Sequence, residues 1–155
     1  MNESGKKPLR ATGRCLCGSV RFAVRGQLVD VSACHCYLCR RLHSHFAAYT
    51  ACDPSDLEIT AGGKLRWYRS SPLARRGFCA RCGAQMFSAR DDRQHIAIAA
   101  GTIDEPTGLR LTSHLCVRQR GDYYDIADGL PQTGGKIGEG SASPWLPAGS
   151  MDCEI

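Results

Sequence analysis

The sequence predicts a mainly β protein, and three observations carry that prediction. Apolar and polar residues alternate over short runs, as at Val20, Phe22 and Val24, the period of a half-buried strand. Turn-forming residues recur along the chain, at Gly18, Asp53-Pro54-Ser55-Asp56, Ala61-Gly62-Gly63 and Asp91-Asp92, so the strands between them are short. No heptads accompany them, and helical stretches are few and brief. Many short strands joined by frequent turns is an all-β signature.

Taken in order, residues 12–24 read as a hairpin whose turn holds Cys15, Cys17 and Gly18. In a regular strand Cys15 and Cys17 share a face, and a following glycine that accepts positive φ lets the turn fold back on itself. Residues 27–33 form a short strand leading to the cysteine-rich stretch 34–41. Residues 40–45 read as a helical turn or tight loop, and 46–51 as extended chain. Residues 57–60 and 64–69 are expected to pair as a hairpin across Gly62-Gly63. Residues 70–73 are the other short candidate helix. Strands follow at 85–88, 95–99 and 109–117. From Pro131 onward the composition turns to Gly, Ser, Pro and Thr, which suits a loosely held arm pinned by Trp145.

With 155 residues, 43% hydrophobic and 23% charged, the chain has the size and composition of one soluble globular domain. Ten cysteines are many for that length. Met1 to Gly13 contains no apolar run of signal-peptide length, and the most apolar run, residues 96–101, is far too short to span a membrane. Clustered cysteines in a reducing compartment serve metals or catalysis rather than disulfides, so a cytoplasmic, reduced chain is expected. The formal charge of +5 falls to about +2 once a four-thiolate zinc site contributes about −2 and a three-thiolate site about −1. A weak net charge without interleaved basic and aromatic residues counts against nucleic acid as a partner.

Chemistry concentrates in Cys34-His35-Cys36-Tyr37-Leu38-Cys39-Arg40-Arg41. Three sulfurs at this spacing can reach one metal ion and leave a position open, the arrangement of catalytic zinc. A distant cysteine that closes the site, or a disulfide with a spare thiol, are the alternatives. Cys79-Ala80-Arg81-Cys82-Gly83 forms a zinc knuckle that needs two further ligands. Cys15 and Cys17 could supply them, or the knuckle could close on the central trio. Cys52 and Cys116 read as buried small hydrophobes and Cys153 as a surface thiol. His43, His45, His95 and His114 read as ordinary packed histidines, whereas His35 sits where it could ligate a metal or bond a thiolate. Arg40 and Arg41 could grip a substrate carboxylate bidentately or form a solvated turn, and Arg75 and Arg76 face the same choice.

These pieces, in this order, resemble the glutathione-dependent formaldehyde-activating family, whose zinc domain also occurs in centromere protein V. The resemblance rests on residues 13–22, the stretch 34–41, Tyr68-Arg69-Ser70-Ser71-Pro72, residues 76–83, Ala100-Gly101-Thr102-Ile103-Asp104, His114-Leu115-Cys116-Val117 and residues 124–131. It implies a β-tent, small coiled antiparallel sheets around two zinc positions. It implies a domain over residues 13–131, flanked by a flexible leader (1–12) and a Gly/Ser/Pro-rich arm (132–155). It also implies a structural zinc on Cys15, Cys17, Cys79 and Cys82, and a labile catalytic zinc on Cys34, Cys36 and Cys39. The activity implied is that of a carbon–sulfur lyase in formaldehyde detoxification, which joins glutathione to formaldehyde as S-hydroxymethylglutathione, with Arg40 and Arg41 as candidate substrate anchors. Two segments depart from the family pattern: Leu42-His43-Ser44-His45, where many members carry a glycine, and Tyr123-Tyr124, where members often place a tryptophan. Both fall where a substrate wall would lie. The competing expectation is a non-catalytic zinc-stabilised module that binds a protein or nucleic acid; a thiol or metal sensor is a third.

Overall fold

Turn residues cut the chain into short strands, and close contacts gather these into two compact units. The computed structural model describes residues 5–134. Among them are ten strands: β1 (Leu9–Arg14), β2 (Arg21–Arg25), β3 (Val31–Cys34), β4 (Ala47–Cys52), β5 (Leu57–Ala61), β6 (Leu65–Arg69), β7 (Ala74–Cys79), β8 (Gln85–Arg90), β9 (Ile96–Ala99) and β10 (Leu111–Leu115). One α-helix, α1 (Tyr37–His43), lies between β3 and β4, and three 3₁₀ turns complete the set. The mainly β expectation holds. One unit contains residues 5–29 and 50–109, the other residues 30–49 and 110–134.

In the first unit β1 and β2 form the expected hairpin, Arg14 opposite Arg21. Its turn holds Cys15 and Cys17, and Gly18 takes φ 75°, a conformation that costs glycine little. Ordered chain begins earlier than the leader read from sequence. Strand β1 starts at Leu9, and Lys7 Nζ stands 2.8 Å from Asp56 Oδ1. Strand β5 pairs antiparallel with β2, and β6, β7, β8 and β9 pair antiparallel in succession. The expected hairpin of residues 57–69 is therefore not formed. Gly62-Gly63 makes the turn, with Leu65 N–H donating to the Gly62 carbonyl, but the two arms join different neighbours. A turn signal shows where the chain bends and says nothing of which strand each arm meets. Residues 70–73 form a bend rather than a helix. Ser70 N–H donates to the Ala74 carbonyl and the Ser71 hydroxyl oxygen accepts from Ala74 N–H, closing the loop between β6 and β7.

Val20, Phe22 and Val24 from β2 and its turn, Met86 and Phe87 from β8, and Ile96 and Ile98 from β9 form the core, with Cys15, Cys52 and Cys79 among them. Phe22 meets Phe87 edge to face at 5.3 Å between centroids, the favoured aromatic geometry.

In the second unit β3 lies between β4 and β10, antiparallel to the first and parallel to the second. The parallel pair departs from the all-antiparallel arrangement the resemblance implied. A parallel neighbour needs a long connection, and more than seventy residues separate β3 from β10. Strand β4 is shared, residues 47–49 in this unit and 50–52 in the first. Helix α1 is the helical turn predicted at residues 40–45, begun three residues earlier. The Cys36 sulfur caps it by accepting from Cys39 N–H at 3.4 Å, and it ends at Ser44 with φ 66°.

Gly13 gives a direct test of core packing. A Cβ there would stand 2.2 Å from Phe22 Cζ and 2.5 Å from the Thr102 carbonyl oxygen. We expect Gly13→Ala to lower stability by about 1–3 kcal/mol through overpacking, read as a lower urea midpoint with unchanged slope.

Candidate metal centres

Two sets of sulfurs converge, each within one unit. In the first unit the β1–β2 turn supplies Cys15 and Cys17, and the β7–β8 connection supplies Cys79 and Cys82. All four Sγ atoms lie within 4.8 Å of one another. Cys15 and Cys17 are 3.6 Å apart and Cys17 and Cys79 3.8 Å. Four sulfurs each about 2.3 Å from a shared tetrahedral centre would be about 3.8 Å apart, so the spacing fits such an ion. Gly83, at φ 78°, turns the chain after the knuckle, and its N–H donates to the Cys79 carbonyl.

Fixed donors surround these sulfurs. Val20 N–H donates to Cys15 Sγ at 3.3 Å, and Ser19 Oγ lies 3.3 Å from Cys17 Sγ. The Ser19 hydroxyl, followed by the Ser19 backbone N–H, lowers the Cys17 thiol to about 6. The N–H groups of Cys17 and Ala84 lower Cys82, while burial raises Cys79. Donors aimed at sulfur favour the anionic form that a metal requires.

In the second unit Cys34 ends β3, Cys36 caps α1 and Cys39 lies in its first turns; their sulfurs also fall within 4.8 Å of one another. Contact with Cys36 pushes Cys34 up to about 12, and Cys34 and Cys36, with burial, push Cys39 well above the usual thiol range. Three sulfurs this close cannot all be thiolates unless a cation offsets their charge. A donor set of this chemistry fits a soft or borderline metal ion.

Beside the trio, the Arg40 and Arg41 guanidinium groups lie 5.8 and 5.0 Å from the Tyr37 ring centroid. Arg40 Nε is buried and has no hydrogen-bond partner in the protein. His35 is fully buried; its Nδ1 meets the Tyr124 hydroxyl and its Nε2 lies 2.9 Å from His114 Nδ1. His114 Nε2 in turn lies 2.8 Å from Asp128 Oδ2. Burial, then the neighbouring His114 and His45, lowers His35 to about 4, so this imidazole is neutral at pH 7. The His114 hydrogen bond holds the Asp128 carboxyl below its usual range, and burial raises the Tyr124 phenol.

A family model described as glutathione-dependent formaldehyde-activating enzyme matches residues 10–119. The chain belongs to this family. An uncharacterized lyase of Schizosaccharomyces pombe is 29% identical over 119 residues, which cover 75% of this chain and 85% of that protein. Family and relative together identify an enzyme of the formaldehyde-activating lyase type. A crystal structure of a Rhodobacter sphaeroides protein, 24% identical, superposes with a TM-score of 0.54 over 65% of this chain and 99% of that one, and shows a shared fold.

Every cysteine placed in a cluster from sequence is found in one, and the knuckle converges with Cys15 and Cys17 rather than with the trio. Cys52 is buried as expected. Cys116 is buried too, but it is disulfide-bonded and not a free thiol; Cys153 and Trp145 lie outside the described residues. Arg75 is exposed and stands 4.6 Å over the Trp67 ring, and Arg76 is buried against Ser70 and Ser88. Sequence reasoning missed the His35 network. His35 neither ligates nor bonds a thiolate through its ring, since both nitrogens face Tyr124 and His114. Alternation held the clue, because Val31, Ala33 and His35 fall on one face and the cysteines on the other. The two departures from the family pattern meet each other. His45 Nδ1 lies 2.8 Å from the Tyr123 hydroxyl, and the His45 ring contacts Tyr124 at 4.5 Å between centroids.

Thiols react as thiolates, so alkylation speeds up as pH rises through each pKa. In chain stripped of metal, iodoacetamide labelling of Cys17 should reach half its maximal rate near pH 6. Cys52, pushed up to about 12 chiefly by burial, should stay unlabelled at pH 8. Peptide mass spectrometry across a pH series reads both.

Proposed function

We propose that this chain is a zinc-dependent carbon–sulfur lyase that adds a small thiol, glutathione or a close analogue, to formaldehyde or a related small aldehyde. The observation that carries the reading is the three-sulfur set of Cys34, Cys36 and Cys39 next to an arginine whose buried Nε lacks a partner. Three protein ligands leave a position for substrate, whereas four close a site. On this reading Cys15, Cys17, Cys79 and Cys82 hold a structural zinc, and Cys34, Cys36 and Cys39 hold the working one. Zinc bound to the trio would supply Lewis acidity and favour a thiolate near neutral pH.

The remaining work falls to the chain's own residues. Helix α1 presents Arg40 and Arg41 directly after the last ligand, with the Tyr37 ring against both guanidinium groups. Arginine forks match carboxylates, and glutathione carries two. Anchoring the carboxylates positions the sulfur beside the aldehyde. The S–C bond then forms, the carbonyl π pair moves to oxygen, and oxygen takes up the proton that the thiol gives up. Orientation of this kind converts a bimolecular addition into a local one. We place this chemistry in a domain over residues 13–131 extended at its start by β1, which pairs with β2 from Leu9, and with residues 132–155 as an arm. We place the reaction in a reducing, cytoplasmic setting, where it serves formaldehyde detoxification: eight of the nine described cysteines are free and Cys116 is disulfide-bonded.

Metal analysis before and after a mild chelator tests this reading. Two zinc equivalents are expected, one lost readily and protected by glutathione. Cys36→Ser should remove that equivalent together with activity and leave cooperative unfolding in place. Two equally resistant zincs that ignore glutathione would instead indicate a structural binding module. Arg40→Met should raise KM for the thiol by about 10–150-fold, the loss of one hydrogen bond to a charged group, with a smaller effect on kcat.

A further inference from the structure

His35 lies between two proposed ligands in sequence, yet its ring occupies the opposite side of the strand. Val31, Ala33 and His35 are buried while Ser32, Cys34 and Cys36 are half-buried, the alternation of a pleated strand carried past the end of β3. The His35 N–H donates to the Leu115 carbonyl at 2.9 Å, extending the β3–β10 ladder beyond Cys34. The next anchor is Tyr37 N–H, which donates to Gln119 Oε1 at 2.9 Å. The backbone carrying Cys34 and Cys36 is thus tied on both sides of Cys36.

The ring is tied as well. A carboxylate can only accept hydrogen bonds, so Asp128 accepts from His114 Nε2–H. One hydrogen is shared between His114 Nδ1 and His35 Nε2 at 2.9 Å, and His35 Nδ1 meets the Tyr124 hydroxyl. Both ring nitrogens of a fully buried histidine are engaged, and the ring cannot turn without leaving buried polar groups unpaired. Phe46 closes the remaining side at 5.1 Å between centroids.

We propose that Asp128, His114 and Tyr124 are positioning residues that act through His35. They hold the Cys34–Cys36 backbone in the pleat that keeps the three sulfurs together, and so set how tightly the trio retains its metal. This rests on the reading of Cys34, Cys36 and Cys39 as a metal site. Such outer partners are usually bonded to a ligand itself; here the chain grips the residue between two ligands.

Tyr124→Phe and Asp128→Leu test the proposal, since each keeps roughly the size of the side chain and removes the polar atoms that make one link. The full chain is loaded with zinc, and release to a chromogenic chelator is followed alongside Cys36→Ser, which assigns the phase belonging to the trio. Each variant should speed release from the trio about 10–100-fold and leave release from the four-sulfur site unchanged. Cobalt-loaded variants should show altered thiolate-to-cobalt bands for the trio alone. A purely architectural role would speed both phases together or neither, and either result overturns the proposal. If Cys36→Ser loses one zinc while both variants release at the wild-type rate, the positioning idea fails and the metal reading stands. Retention of two zincs by Cys36→Ser overturns both.

Discussion

Sulfur atoms packed within 4.8 Å of one another cannot all be thiolates without a cation among them, and that constraint organises each unit. In the first unit it acts on two turns more than sixty residues apart in sequence. Among the described residues the β1–β2 turn and the β7–β8 knuckle share no regular hydrogen-bond ladder, so core packing and what their sulfurs share set their mutual placement. Cys15 and Cys79 are also members of the apolar core. A metal bound there would therefore fix the edge of the core as well as the turns, and would add its binding free energy to folding.

The second unit has less apolar material to work with. Its buried residues are mostly small, such as Ala33, Ala47, Cys39 and Cys116, with Val31 and Leu115 as the larger aliphatic ones. Two histidines and Thr133 are buried beside them. Thr133 N–H donates to the His114 carbonyl and His114 N–H to the Pro131 carbonyl, so the backbone around the network is satisfied as fully as the rings are. A buried polar chain in which every member has its partner confers geometric definition that small aliphatic contacts alone do not. The unit that holds the three-sulfur set is thus organised by directional bonds, which suits a site whose geometry has to be held with one ligand fewer.

Much of this was legible in the sequence because short-range signals carry it. The Cys-x-Cys-Gly and Cys-x-x-Cys-Gly units announce tight turns with converging sulfurs, and Gly18 and Gly83 adopt the positive φ that such turns require. Strand periods located nearly every strand. Strand partners were less legible: β5 and β6 flank a clear turn signal yet pair with β2 and β7, since partner choice depends on faces and registers distant in sequence. The His35 network was hidden for the same reason. Its four members are contributed by the residue after β3, by β10 and by the segment after it, and a histidine at position 114 looks ordinary until Asp128 and His35 are placed at its two nitrogens.

The two sulfur sets also differ in what surrounds them, and the difference bears on the roles proposed for them. The four-sulfur set is supplied with N–H and hydroxyl donors from Ser19, Val20 and Ala84, which spread the charge of a closed, dianionic site over fixed dipoles. The trio has instead a neighbouring arginine with a buried, unused Nε. Leaving such a group unpaired costs free energy that a bound anion can recover. A cation beside a three-thiolate centre would partly neutralise it while still offering a fork to an incoming carboxylate. Fixed dipoles can only stabilise what is already there, whereas a guanidinium with one donor left over favours arrival of a negatively charged ligand. That asymmetry, beside the count of sulfurs, supports the proposed division into a structural site and a substrate site.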